Sequence, residues 1–257
     1  MHCFRVAVGL TLFAWLLPLR AETLTLVADY WCPFNCQPES DDPGFMIEVA
    51  DRIFGRAGYT VIYLTRPWSR AIKEVESGQY TALVGTGRKE VSNLVFPKRY
   101  LAMARHTFFT QSDSTWQYRD DDSLSDIRLG VIDDYSYGDL NDRYILPHRA
   151  DRQRLMILNG QNVLGRFLEM LGLKRIDAFV EEEAVMRYYL SQSRNPTTLR
   201  KAGVASSEPL FIAFSPADPN AQRYADILDK GVQALQESGE LDQLADKYRI
   251  VLNSPQD

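Results

Sequence analysis

The chain has 257 residues, 45% of them hydrophobic and 25% charged, and a formal net charge of −5 at pH 7. That length and apolar content suit a buried core and more than one small domain. The acidic balance, with no basic run, excludes a nucleic-acid footprint and an electrostatic hold on an anionic membrane.

The N-terminus opens with the basic Arg5, continues through the apolar Val6 to Leu19, and turns polar at Glu22 after Arg20 and Ala21. This is the pattern of a secretory signal peptide over residues 1–21, with cleavage expected after Ala21 and the periplasm as destination. The run falls short of the ~20 residues that span a bilayer. Loss of Arg5 and Arg20 moves the formal charge from −5 to −7. Cys3 leaves with the signal, and Cys32 and Cys36 remain. Two such cysteines in an exported chain are expected to form a disulfide. Their C-P-F-N-C spacing is not the C-x-x-C of thiol oxidoreductases. His106 and His148 are too remote in sequence to complete a zinc site, so no metal is expected. The short bridge would stiffen the turn that presents Tyr30 and Trp31.

Beyond the signal, Leu24 to Ala28 reads as a buried strand, and a loop follows to Gly44. Phe45 to Ala57 carries a helical apolar stripe stopped by Gly58. Thr60 to Leu64 is a strand, Ser69 to Glu76 a short helix, and Thr81 to Val84 a strand leading into Gly85-Thr86-Gly87-Arg88. Strand and helix in alternation predict a parallel sheet with crossover helices. Thr107 to Thr110 is a further strand. The pattern then restarts with strands over Arg128 to Ile132, Leu155 to Leu158 and Ile176 to Val180. Helices are expected over Asp139 to Tyr144, Val163 to Leu171 and Glu183 to Ser191. A late apolar strand, Leu210 to Phe214, precedes helices over Asn220 to Gln236 and Leu241 to Tyr248. Two βαβ units predict two α/β lobes with a ligand cleft between them.

Several stretches, in this order and spacing, resemble the family 3 bacterial extracellular solute-binding proteins. They are Pro43-Gly44-Phe45-Met46-Ile47-Glu48, Trp68-Ser69-Arg70-Ala71, Leu94-Val95-Phe96-Pro97, Arg175-Ile176-Asp177-Ala178-Phe179-Val180 and Ser238-Gly239-Glu240-Leu241. The resemblance covers nearly all of the chain after Ala21. It implies a two-lobed type II periplasmic-binding-protein fold, each lobe a mostly parallel sheet flanked by helices. Lobe 1 would comprise residues 22–108 and 204–257, and lobe 2 residues 109–203. Two crossover strands are placed near His106 to Gln111 and Leu199 to Val204.

The resemblance also implies ligand residues, each with a plainer reading beside it. The family grips a ligand carboxylate with an Arg after the third strand. Here Gly85-Thr86-Gly87 leads to Arg88, which suits bidentate pairing. The loop is shorter than usual, however, and counting back from Phe96 puts Glu90 at the usual place. Arg88 as a solvated surface residue is the alternative. Glu182 corresponds to the family's acid for an α-ammonium, yet Glu181 to Glu183 equally suit a helix N-terminus. Tyr135 and Ser136 precede a short helix whose start could take a carboxylate, and Ser136 could also cap that helix. Tyr30, Trp31 and Trp68 follow strand ends and offer an aromatic wall for a solute, or ordinary ring packing.

The function expected from this set is capture of a small polar solute, an amino acid or related zwitterion or carboxylate, by a monomer without cofactor. A membrane permease or receptor would be its partner. No catalytic residue is assigned. A cyclohexadienyl-dehydratase-like enzyme on the same scaffold, with Glu182 as its acid, is the rival reading, and a solute sensor is another. Fold alone does not separate them.

Overall fold

The computed structural model describes residues 22–160, 162–193 and 198–252; the expected signal peptide lies outside them. Among these residues no helix is long and apolar enough to cross a membrane.

Two parallel three-stranded units are joined edge to edge through two crossing strands. In the first, β1 (Thr23–Ala28) lies between β2 (Thr60–Thr65) and β3 (Ala82–Thr86), all parallel. In the second, β5 (Leu129–Ile132) lies between β6 (Leu155–Leu158) and β7 (Ala178–Glu182), again parallel. Two long antiparallel strands connect them, β4 (Ala102–Gln111) and β8 (Leu199–Phe214). The order is therefore β2-β1-β3-β8-β4-β7-β5-β6. The end of β8 pairs with β3 through Ala82↔Phe214 to Thr86↔Phe211, and the middle of β4 pairs with β7 through His106↔Glu182 to Phe109↔Phe179. Each long strand thus belongs to both lobes, and their mutual ladder runs from Ala102↔Leu210 to Gln111↔Leu199.

Strand alternation feeds a core on each face of each sheet. In lobe 1, Leu24, Leu26 and Ala28 meet α1 (Phe45–Arg56), α5 (Ala221–Glu237) and α6 (Glu240–Tyr248), while Val27 packs with Trp68, Ala71 and Val75 of α2 (Trp68–Glu76). In lobe 2, Phe108 faces Leu129, Val131 and Tyr144. Its neighbour Phe109 faces Phe167 of α3 (Val163–Gly172) and Met186 of α4 (Glu183–Gln192). In α1 the buried Phe45, Met46, Val49, Ala50, Ile53 and Phe54 recur at helical spacing. The helix starts at Gly44, whose φ is +111° and where a Cβ would lie 2.5 Å from the Phe34 carbonyl oxygen. Only glycine fits there.

Four elements differ from expectation. The crossover expected at Leu199 to Val204 and the late strand at Leu210 to Phe214 are one strand, β8, whose ladder with β4 runs through both. The strand expected at Thr107 to Thr110 begins five residues earlier, because Ala102–His106 finds a partner in β8. The last strand of lobe 2 is shifted by two residues and ends on Glu181 and Glu182. The helix expected over Asp139 to Tyr144 continues as a π-helical turn, Asn141–Ile145.

Candidate functional site

The C-terminal ends of the parallel strands of both lobes face one another, the place where open α/β sheets present ligand loops. From lobe 1 come Asp29 to Cys36 after β1, Arg66 to Ser69 after β2, and Gly85 to Glu90 at the end of β3. From lobe 2 come Asp133 to Ser136 after β5 and Glu181 at the end of β7. They enclose a cleft of about 1080 Å³ walled by Tyr30, Trp31, Trp68, Tyr135 and Glu181 among others. Asp29, Trp31, Trp68 and Tyr135 also line a small inner recess of about 30 Å³, floored by Gly85, Glu90, His106, Ser136 and Glu208.

The loop after β1 is held by the Cys32–Cys36 disulfide (S–S 2.04 Å). Within it Trp31 stacks on Phe34 with ring centroids 4.8 Å apart. Asn35 Nδ2 donates to the Asp29 carbonyl oxygen at 2.7 Å, tying the loop back to the strand end. Gly85 has φ +86°, and a Cβ there would lie 3.2 Å from Asn35 Oδ1, so the recess exists because that residue has no side chain.

The structure brings Tyr30, Trp31, Trp68, Gly85, Tyr135 and Ser136 to the cleft or its recess. Three other expected site residues do not line it. Thr86 is buried, and its hydroxyl donates to Glu90 at 3.1 Å. Arg88 turns away: its guanidinium lies 5.1 and 4.7 Å from the Phe96 and Phe211 ring centroids and donates to the Pro97 carbonyl oxygen. The shortened loop puts Glu90, not Arg88, at the recess, where it accepts from Trp68 Nε1 at 2.8 Å. Glu182 is 3% exposed and caps α4 by accepting from the Val185 amide at 2.8 Å. It is the preceding residue, Glu181, that faces the cleft and accepts from Trp31 Nε1 at 3.3 Å, a contact across the two lobes.

Ser136 does not cap its helix in the usual sense. Its hydroxyl donates to Glu208 Oε1 and Oε2 at 3.0 and 3.2 Å and accepts from the Gly138 amide at 3.2 Å. Glu208 Oε1 also pairs with His106 Nε2 at 2.9 Å. Glu208 therefore lays its own carboxylate on the loop expected to hold a ligand's.

The site's electrostatics are one-sided. Among the described residues neither Asp29, Glu90 nor Glu181 has a Lys or Arg ion-pair partner, and Arg66 is the basic residue of the cleft wall. Desolvation, partly offset by the Tyr135 hydroxyl, pushes the Asp29 carboxyl up to about 6. Desolvation, with Glu208 nearby, pushes Glu90 to about 7. Desolvation does the same for Glu181, also to about 7. Burial also acts upward on Glu208, but the His106 and Ser136 contacts outweigh it and hold that carboxyl below its ordinary value.

Sequence reasoning missed Asp29, His106, Glu181 and Glu208 as cleft residues. Asp29 carried a usable signal, since it directly follows a buried strand and precedes Tyr30 and Trp31. Glu208 carried none, because Ser206 to Glu208 reads as a polar loop and its position depends on the β4 ladder. Among the described residues no group of three His, Cys, Asp or Glu is placed to hold a metal ion.

The sequence model of the bacterial extracellular solute-binding proteins, family 3, matches residues 24–250. No curated protein sequence matches the chain. Among solved structures, a histidine kinase sensor domain with similarity to periplasmic binding proteins superposes with TM-score 0.75 at 18% identity, covering 91% of this chain and 99% of that one. An amino acid ABC transporter substrate-binding protein, AbpA from Streptococcus pneumoniae bound to L-arginine, gives 0.69 at 19%, covering 88% and 94%. The ancestral amino acid-binding protein AncCDT-1, a precursor of cyclohexadienyl dehydratase, gives 0.65 at 17%, covering 88% and 95%. At these identities the likeness is one of fold, the two-lobed type II periplasmic-binding fold.

Proposed function

Because this chain belongs to the bacterial extracellular solute-binding proteins, family 3, we propose that it captures a small polar solute bearing a positively charged nitrogen in the cleft between its lobes. It would do so in the periplasm and hand the solute to a membrane permease. The observation that carries this reading is the cleft itself, with tryptophans from lobe 1 facing acids from both lobes. An aromatic wall beside unpaired carboxylates suits an ammonium or guanidinium, through cation–π and charge-assisted contacts together.

Our reading is of a binder rather than a dehydratase. Glu182, the acid that an enzymatic reading needs, is committed to capping α4. Incubation with prephenate or arogenate should give no product above background. Turnover abolished by Glu181→Gln, which alters the acid that does face the cleft, would move the protein to the enzymes.

A thermal-shift panel of amino acids, amines, small carboxylates and sugars tests the binding role. At ~100 times its dissociation constant a solute adds about 2.7 kcal/mol to stability, a rise of roughly 5–10 °C for a chain of this size. A cationic solute should give that rise. No shift with any member would contradict the proposal.

A further inference from the structure

A ligand with both ammonium and carboxylate needs two seats of opposite sign, and the cleft offers them unequally. The anion seat expected at Ser136 is filled from within. Glu208 accepts from the Ser136 hydroxyl at 3.0 Å and pairs with His106 Nε2 at 2.9 Å. A Cβ on Gly87 would stand 3.1 Å from Glu208 Oε2, so this carboxylate lies close against the bare Gly87 backbone. The second anion seat, the arginine after β3, is replaced by Glu90, and Arg88 is spent on Phe96, Phe211 and Pro97. A ligand carboxylate in the recess would meet two protein carboxylates at the places where it needs donors. Like charges brought together in a desolvated site repel far more strongly than in water.

One buried acceptor beside the recess asks for a donor. Asn35 is 1% exposed and its Oδ1, which lies against Gly85 of the recess, has no hydrogen-bond partner. Its Nδ2 is fixed on Asp29, so the unsatisfied atom is the oxygen. His106 is 4% exposed, lines the recess and pairs its Nε2 with Glu208, leaving Nδ1 without a partner. A buried acceptor left unmade costs about 1–3 kcal/mol. An ammonium or guanidinium supplies several N–H donors and positive charge at once. A carboxylate supplies neither.

Resting on the reading of this cleft as the solute site, we propose that the solute is an organic cation without a carboxylate, an alkyl amine or guanidine held by Asp29, Glu90 and Glu181 against Trp31 and Trp68. Pairs of compounds that differ only by the carboxylate decide this. The protein is titrated calorimetrically with agmatine against arginine and with cadaverine against lysine. In at least one pair the decarboxylated member should bind about tenfold tighter or more. Glu90→Gln and Glu181→Gln should each weaken that binding at least about tenfold, and either variant alone suffices should the other fail to fold. Equal or tighter binding of the amino acids overturns the inference, as does affinity unchanged in the folded variants. Absence of binding by both members of both pairs also overturns it. In that last case the thermal-shift panel separates the two readings: a shift with any other solute keeps the solute-binding role and removes only this inference, and no shift at all removes both.

Discussion

Glu181 shows how one side chain couples the cleft to stability. It is 2% exposed, and its pKa is pushed up to about 7 by desolvation. An acid raised on folding binds more protons in the native than in the unfolded state, so its effect is destabilising as pH climbs from the ordinary carboxylate range toward the raised value. For Glu181 the loss is about 3 kcal/mol, at ~1.4 kcal/mol per unit. Carboxyls held low, such as Glu208, act in the other direction only below their ordinary range and leave this window alone. Unfolding in urea should therefore show lower stability near pH 7.5 than near pH 5, and Glu181→Gln should reduce the slope, with Asp29 and Glu90 contributing the rest. A parent profile flat across that window would show that the carboxyl is solvated after all. Arg88 is the converse case, a charge outside the cleft. Arg88→Ala should cost about 1 kcal/mol through its lost stacking on two rings, while solute affinity stays within about twofold. A collapse of affinity in calorimetry would return Arg88 to the site.

At the scale of elements, the regular helices and buried strands were legible because apolar spacing matched one period throughout. The boundaries of β6 and the span of α1 follow from residues that meet a single core. The crossing strands were only partly legible. In β8 the stretch from Gly203 to Glu208 is mostly small or polar and partly solvated, because it pairs edgewise with β4 and packs little core on either face. No alternation marks such a ladder, so Glu208 could not be placed from sequence. The end of β7 hid for a related reason. Three consecutive acids suggest a helix start, yet only Glu183 lies within the helix, while Glu181 and Glu182 finish the strand. The Cys32–Cys36 pairing was legible from export and spacing alone, and the structure has it. The loop that it closes holds Trp31 at the cleft. Cys32→Ser with Cys36→Ser should lower stability by about 2 kcal/mol on loop-entropy grounds. Solute affinity should fall as well, because Trp31 loses its fixed position. Unchanged affinity in the folded double variant would mean that the bridge serves stability alone.

For the whole molecule, the question is what draws the lobes together. Tyr135 donates to Asp29, Trp31 to Glu181 and Lys89 to Asp139, each contact joining one lobe to the other. The Lys89–Asp139 pair is exposed and adds little, whereas the first two sit in the cleft and use the same carboxylates as the proposed solute. Binding and closure thus share atoms, and the hinge can only be β4 and β8. The most direct test of this arrangement is hydrogen exchange read by mass spectrometry, with and without a saturating solute from the thermal-shift panel. One solute held between the lobes should slow exchange together in the turn from Asp29 to Cys36, at the start of α2, and in lobe 2 over residues 132–138. Protection confined to one lobe, or lying away from these three segments, would contradict a solute site in the cleft.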